Sequence, residues 1–79
     1  MKARTYDCVV LTVDVPGEFS KAIIPKGTSG AVVEAYDQPT EGYAVDVNIP
    51  DDASSTGFRY DNVILYPDQF DVVPTDSQT

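Results

Sequence analysis

The sequence predicts an all-β domain, a small five-stranded barrel with a long first loop and a 3₁₀ turn before its last strand. Three observations point there. No segment carries a sustained 3.6-residue apolar repeat; the apolar residues fall in short β-branched and aromatic runs; and Pro, Gly, Asn and Asp punctuate those runs. The 79 residues allow one domain and one core, assigned to residues 1–73, with residues 74–79 expected as a disordered polar tail. A sandwich usually takes about seven strands, so five short ones fit a closed sheet better.

Tyr6-Asp7-Cys8-Val9-Val10-Leu11-Thr12-Val13 is the first strand, ended by the turn chemistry of Asp14-Val15-Pro16-Gly17. Residues 18–29 hold Phe19, Ile23 and Ile24 but are broken by Pro25 and Gly27. They are expected to form a long excursion with a few apolar anchors and a short helical turn over 18–22. Gly30-Ala31-Val32-Val33-Glu34-Ala35-Tyr36 is the second strand, and Asp37-Gln38-Pro39-Thr40-Glu41-Gly42 returns the chain. Residues 43–49 alternate without error, with Tyr43, Val45, Val47 and Ile49 on one face and Ala44, Asp46 and Asn48 on the other. After a polar loop over 50–57, residues 58–66 form the fourth strand, Pro67-Asp68-Gln69 fits one 3₁₀ turn, and residues 70–73 form the fifth strand. The ladder expected at the centre sets Val32 and Val33 against Val45 and Val47. The expected core is Cys8, Val10, Ile23, Val32, Tyr36, Tyr43, Val45, Val47, Val63, Leu65, Phe70 and Val73.

So short a chain often needs a staple, and neither usual kind is on offer. Cys8 has no partner for a disulfide, and with one Cys and no His a Cys/His metal site is out of reach. Cys8 sits in an apolar run beside Asp7, where it reads as a small hydrophobe and not as an activated thiol. The lack of disulfides and of an apolar signal core in the first seven residues leads to the expectation of a reducing cytosol, hence a cytoplasmic protein. No apolar run approaches the ~20 residues of a membrane helix.

Charge is the most unusual bulk property, with thirteen acids against five bases. Through Lys26 the signs nearly balance; from Gly27 onward ten acids face Arg59 alone. Such a surface repels phosphate backbones, which argues against nucleic acid as a partner and for basic proteins. A purely solubilising role for the charge is the plain alternative.

The chemistry of catalysis is thin. Without His, acid–base work falls to carboxylates, Tyr, Lys or Cys8, and a serine or cysteine nucleophile lacks its usual imidazole. Asp51 and Asp52, followed by Ser54, Ser55 and Thr56, offer oxygen ligands without the spacing of a calcium loop. Gly27-Thr28-Ser29-Gly30 lacks the lysine and the helix of a phosphate loop and reads as a turn. An enzyme and a cofactor are therefore not expected. The rings divide: Tyr36, Tyr43 and Phe70 are assigned to the core, whereas Phe19, Phe58, Tyr60 and Tyr66 are candidates for partial exposure and binding.

Three pieces together resemble a family of small bacterial SH3-like barrel proteins catalogued as a domain of unknown function. They are Tyr6-Asp7-Cys8-Val9-Val10-Leu11, the stretch Ile24-Pro25-Lys26-Gly27-Thr28-Ser29-Gly30-Ala31-Val32-Val33-Glu34-Ala35-Tyr36, and residues 63–73. The middle piece is similar to the family pattern K-G-x-x-G-x-V-V-E-x-Y, in which Gly27 and Gly30 flank a sharp turn into a strand where φ above zero is expected. Residues 51–56 depart from the pattern as a longer, more polar connection, and residues 18–24 carry extra residues. The resemblance implies an SH3-like barrel and, by analogy, a stand-alone protein acting beside toxins or enzymes. Together with the charge it leads to the expectation of a non-enzymatic, immunity- or antitoxin-type inhibitor that covers the active surface of a basic toxin such as a nuclease. An accessory module for a larger enzyme is the alternative. The residues expected to meet the partner are Glu34, Asp46, Asp51, Asp52, Phe58, Tyr60 and Asp61.

Overall fold

The computed structural model describes residues 1–20 and 22–74. In chain order the strands are β1 (Cys8–Leu11), β2 (Val15–Pro16), β3 (Ile23–Ile24), β4 (Ser29–Tyr36), β5 (Gly42–Pro50), β6 (Phe58–Leu65) and β7 (Phe70–Val73), with a 3₁₀ turn at Pro67–Gln69. Five of them form one antiparallel sheet in the order β6-β5-β4-β1-β7, while β2 and β3 pair as a hairpin inside the long first loop. The fold is all-β: no α-helix occurs among the described residues, and none is long and apolar enough to cross a membrane. Instead of the helical turn expected over 18–22, residues 18–20 and 22 form bends, and Gly17 N–H donates to the Ala22 carbonyl at 2.9 Å. All but Pro74 of the expected tail lies outside the described residues.

The central strand behaves as its alternation dictates. Tyr43, Val45, Val47 and Ile49 are buried, and Asp46 and Asn48 face solvent. Val32, Val45 and Val63 line up across β4, β5 and β6 and are fully enclosed. Burying each such side chain contributes roughly 1.5–3 kcal/mol, a large part of what so small a core can supply. The expected ladder forms in part: Val32 opposes Val45 and, as plain antiparallel register requires, Gly30 opposes Val47, whereas Val33 has no partner because a β-bulge there inserts an extra residue into β4 and sets Glu34 opposite Ala44.

That bulge accounts for one correction to the expected core. Beyond it the alternation of β4 inverts, so Ala35 faces inward opposite Tyr43 and Tyr36 turns outward opposite Gly42. Other corrections come from phase. In β1 it is Val9 and Leu11 that are buried while Cys8 is exposed and Val10 only half-buried, and in β3 it is Ile24 and not Ile23. Val73 pairs with Cys8 and shares its outward face.

The N-terminal segment straps one end of the sheet. Ala3 is buried, Lys2 N–H donates to the Tyr43 hydroxyl at 2.8 Å, and the Lys2 ammonium lies 4.7 Å from the Phe70 ring centroid. Phe70 meets Tyr43 edge to face with centroids 5.2 Å apart. Burial, with the Glu41 hydrogen bond behind it, pushes the Tyr43 phenol up; the same hydroxyl and the Lys2 N–H hold the Glu41 carboxyl down.

The two glycines of the turn into β4 serve different ends. Gly27 has φ of +92° with open space around it. Gly30 has no positive φ; a Cβ there would strike the Asp46 carbonyl and lie 2.8 Å from a Val45 methyl. Close approach, not backbone conformation, is what requires glycine at 30. Gly30→Val is therefore expected to cost about 1–3 kcal/mol or more through overpacking. Gly27→Ala is expected to cost about 1 kcal/mol through strain alone. Urea denaturation of the two variants checks both values, and a Gly30→Val protein as stable as the wild type would refute the packing argument.

Candidate functional site

Residues opposite one another in an antiparallel ladder share a face, so the register of β4, β5 and β6 assembles the outer surface of the sheet directly. Glu34 pairs with Ala44, which pairs with Ile64; Ala31 pairs with Asp46, which pairs with Asn62; Asn48 pairs with Tyr60, and Pro50 with Phe58. At the near end Tyr36 pairs with Gly42, and Tyr66 follows the last residue of β6. The outward positions of β6 and its end thus form a row of large side chains, Phe58, Tyr60, Ile64 and Tyr66, which are 47, 64, 44 and 51 % exposed. Only Asn62 interrupts the row.

Of the seven residues expected to meet a partner, four gather on this face: Glu34, Asp46, Phe58 and Tyr60. Asp46 is exposed and accepts a 2.8 Å hydrogen bond from the Asn62 side chain. Arg59 pairs with Ile49 and so belongs to the opposite face, which leaves no cation among the outward residues of the three strands. Asp51 and Asp52 lie beyond the end of β5, in the connection to β6. Asp51 is partly committed there, accepting the Ala53 N–H at 3.0 Å and sitting 3.7 Å from Arg59 Nε, whereas Asp52 is exposed. Such an exposed ion pair contributes about 0–1 kcal/mol.

Asp61 belongs elsewhere. It is 1 % exposed and points into the sheet's inner side with Val63 and Leu65. Its carboxylate accepts hydrogen bonds from Phe19 N–H and Asn62 N–H at 2.8 Å each, from the Ser20 hydroxyl at 2.7 Å and from Ser20 N–H at 3.3 Å. The strand phase that puts Val63 and Leu65 inside was the signal that could have found it.

Two open hollows mark the ends of the outer face. One is lined by residues 25–29 with Asn48, Pro50 and Phe58; the other by Tyr36, Gln38, Pro39, Thr40, Gly42, Ile64 and Tyr66. Sequence reasoning missed Tyr36 and Ile64 as exposed residues of this face. For Ile64 alternation was legible, since it neighbours inward residues on a regular strand; for Tyr36 the bulge hid it. Among the described residues no three Cys, Asp or Glu side chains converge as metal ligands.

The fold and this face define a class, a small antiparallel β domain with an aromatic and acidic sheet surface. Scans against family models, curated proteins and solved structures each found no match to the chain.

Burial opposes the charge on Asp61, but the hydrogen bonds from Ser20, Phe19 and Asn62 outweigh it and hold the carboxyl down to about 2 against an ordinary 3.8. The folded state thus surrenders the proton more readily than the unfolded chain. Stability from this group is full above the ordinary value and is lost as pH falls through about 2. Asp61→Asn is expected to destabilise the protein by about 1–3 kcal/mol near neutral pH, because buried donors lose an acceptor. Thermal melts of both proteins across the acid range should show the gap narrowing below about pH 4; a gap independent of pH would overturn the ionised-clamp account.

Proposed function

We propose that the chain is a non-enzymatic protein-binding domain built on an SH3-like barrel, an inhibitor of the immunity or antitoxin type whose outer sheet face covers a basic surface on a toxin such as a nuclease. The observation that carries the reading is the row Phe58, Tyr60, Ile64 and Tyr66, exposed along β6 and its end, with Glu34 and Asp46 beside it and no cation at the outward positions of β4, β5 and β6. Exposed rings in a row are what a binding surface needs, since a few aromatics supply most of the affinity of an interface and complementary charge selects and accelerates the encounter. The barrel reading draws support from the strand order, from the β2/β3 hairpin in the first loop and from the Glu18 N–H that donates to the Asn62 carbonyl at 2.8 Å, joining that loop to the sheet's edge. The absence of His and the overall charge of −8 favour an inhibitor over a catalyst.

The test uses charge reversal at exposed carboxylates, of which Asp46 gives up one exposed hydrogen bond from Asn62. Glu34→Lys, Asp46→Lys and Asp52→Lys, combined in one protein, leave the buried set untouched and should fold as the wild type does. Against the basic protein that co-purifies with the chain, association of the variant should be slower by about tenfold at low salt and its salt dependence flatter, because exposed charges are screened over ~8 Å at physiological ionic strength. Stopped-flow or surface-plasmon kinetics at two salt concentrations measures both. Equal rates and equal salt slopes would mean that the charge serves solubility alone, and co-purification with an uninhibited metabolic enzyme would replace the inhibitor by an accessory module.

A further inference from the structure

The end of the outer face holds a feature that neither packing nor backbone geometry explains. Tyr36, Gly42 and Tyr66 stand in one row across three neighbouring strand paths, with the glycine in the middle. Gly42 is buried but has no positive φ, and a Cβ there would meet nothing nearer than 3.7 Å, so no clash at that atom requires a glycine. Glycine inside a strand is otherwise unfavourable, and alternation alone would accept a β-branched residue at this position. What the glycine does is keep the floor low between two half-exposed phenol rings; a Tyr66 ring carbon lies 4.0 Å from the point where its Cβ would be.

The dimensions suit a flat group. Two strands that flank a third lie about 10 Å apart, and rings rising from them leave room for one planar group between their faces. Ile64 closes one side and Gln38, Pro39 and Thr40 the other. Glu34 lies in the next row outward on the same face, Asp37 follows Tyr36, and no Lys or Arg lines the hollow. A flat cation, stabilised by the ring faces and by the nearby carboxylates, is the occupant this combination selects, and among side chains that is the guanidinium.

We propose that the hollow between Tyr36 and Tyr66, floored by Gly42, is a slot for an arginine side chain of the basic partner. The proposal rests on the basic-partner reading and adds to it the anchor residue that the partner must present.

The test separates the two. The probe is a capped pentapeptide, Gly-Ser-Arg-Ser-Gly, titrated into the ¹⁵N-labelled full chain by NMR, beside peptides carrying lysine or citrulline at the centre. Saturable shifts are expected at the amides of residues 36, 42 and 66, with the arginine peptide binding several-fold more tightly than the lysine peptide and the citrulline peptide not at all. Gly42→Val, which fills the floor, should stay folded, as its dispersed ¹⁵N spectrum would show, and lose the shifts; Tyr66→Ala should weaken binding about fivefold and Tyr66→Phe restore it, as a ring-face interaction requires. Shifts spread along the acidic surface, equal for arginine and lysine and unchanged by Gly42→Val, would overturn the slot. If partner association then still responds to the charge-reversal variant, the slot alone has failed; if neither responds, the basic-partner reading has failed with it.

Discussion

Asp61 lies beneath the bends of the first loop, and the hydrogen bonds it accepts from Phe19 and Ser20 tie that loop to strand β6. The loop has little else to hold it. Between Leu11 and Thr28, Val15, Gly17 and Ile24 alone are buried among the described residues, far too little apolar area to order so long an excursion by itself. A Cβ on Gly17 would drive into the Asp61 carboxylate, so the glycine and the acid fit as a pair. A buried charge is costly unless its hydrogen bonds are complete, and among the described residues no buried side-chain nitrogen or oxygen lacks a partner. In a chain with no disulfide, this clamp does the work of a staple.

A second constraint acts on the opposite side of the sheet. The bulge in β4 adds one residue and thereby exchanges the roles of Ala35 and Tyr36, giving the small side chain to the core beside Tyr43 and the large one to solvent. The inner side could not hold both tyrosines at that level, since Tyr43 already fills it against Phe70 and the N-terminal strap. One local irregularity thus relieves the core and equips the surface. The acids follow the same logic: Glu34 and Asp46 are exposed because they face outward from ladder positions, while Asp51 is held in its loop.

The elements were legible in the sequence to the extent that their signals were local. Unbroken alternation marked β5, and Pro67-Asp68-Gln69 marked the 3₁₀ turn. The inner face of β1 was not legible, because Cys8, Val9, Val10 and Leu11 are all apolar and carry no phase; pairing with β4 and β7 sets it instead. The bulge was invisible for a related reason, as it exists only relative to the strand beside it. The β2/β3 hairpin has two residues per strand, below what any periodicity can register. Of the site, Glu34, Asp46, Phe58 and Tyr60 were found, while Asp61 was taken for a surface acid because its chemistry was weighed above its strand phase.

The arrangement of acids among rings has a consequence for how the molecule treats its own copies. A row of exposed aromatics near the edge of a sheet invites self-association. A two-fold pairing sets one patch against the identical patch, so each copy would bring Glu34 and Asp46 toward those of the other with no cation in the outward rows of β4, β5 and β6 to meet them. Like charges brought together as the rings are desolvated oppose that contact, whereas a partner of opposite sign meets no such barrier. The same carboxylates that would welcome a basic protein therefore keep the adhesive face from being consumed by homodimers.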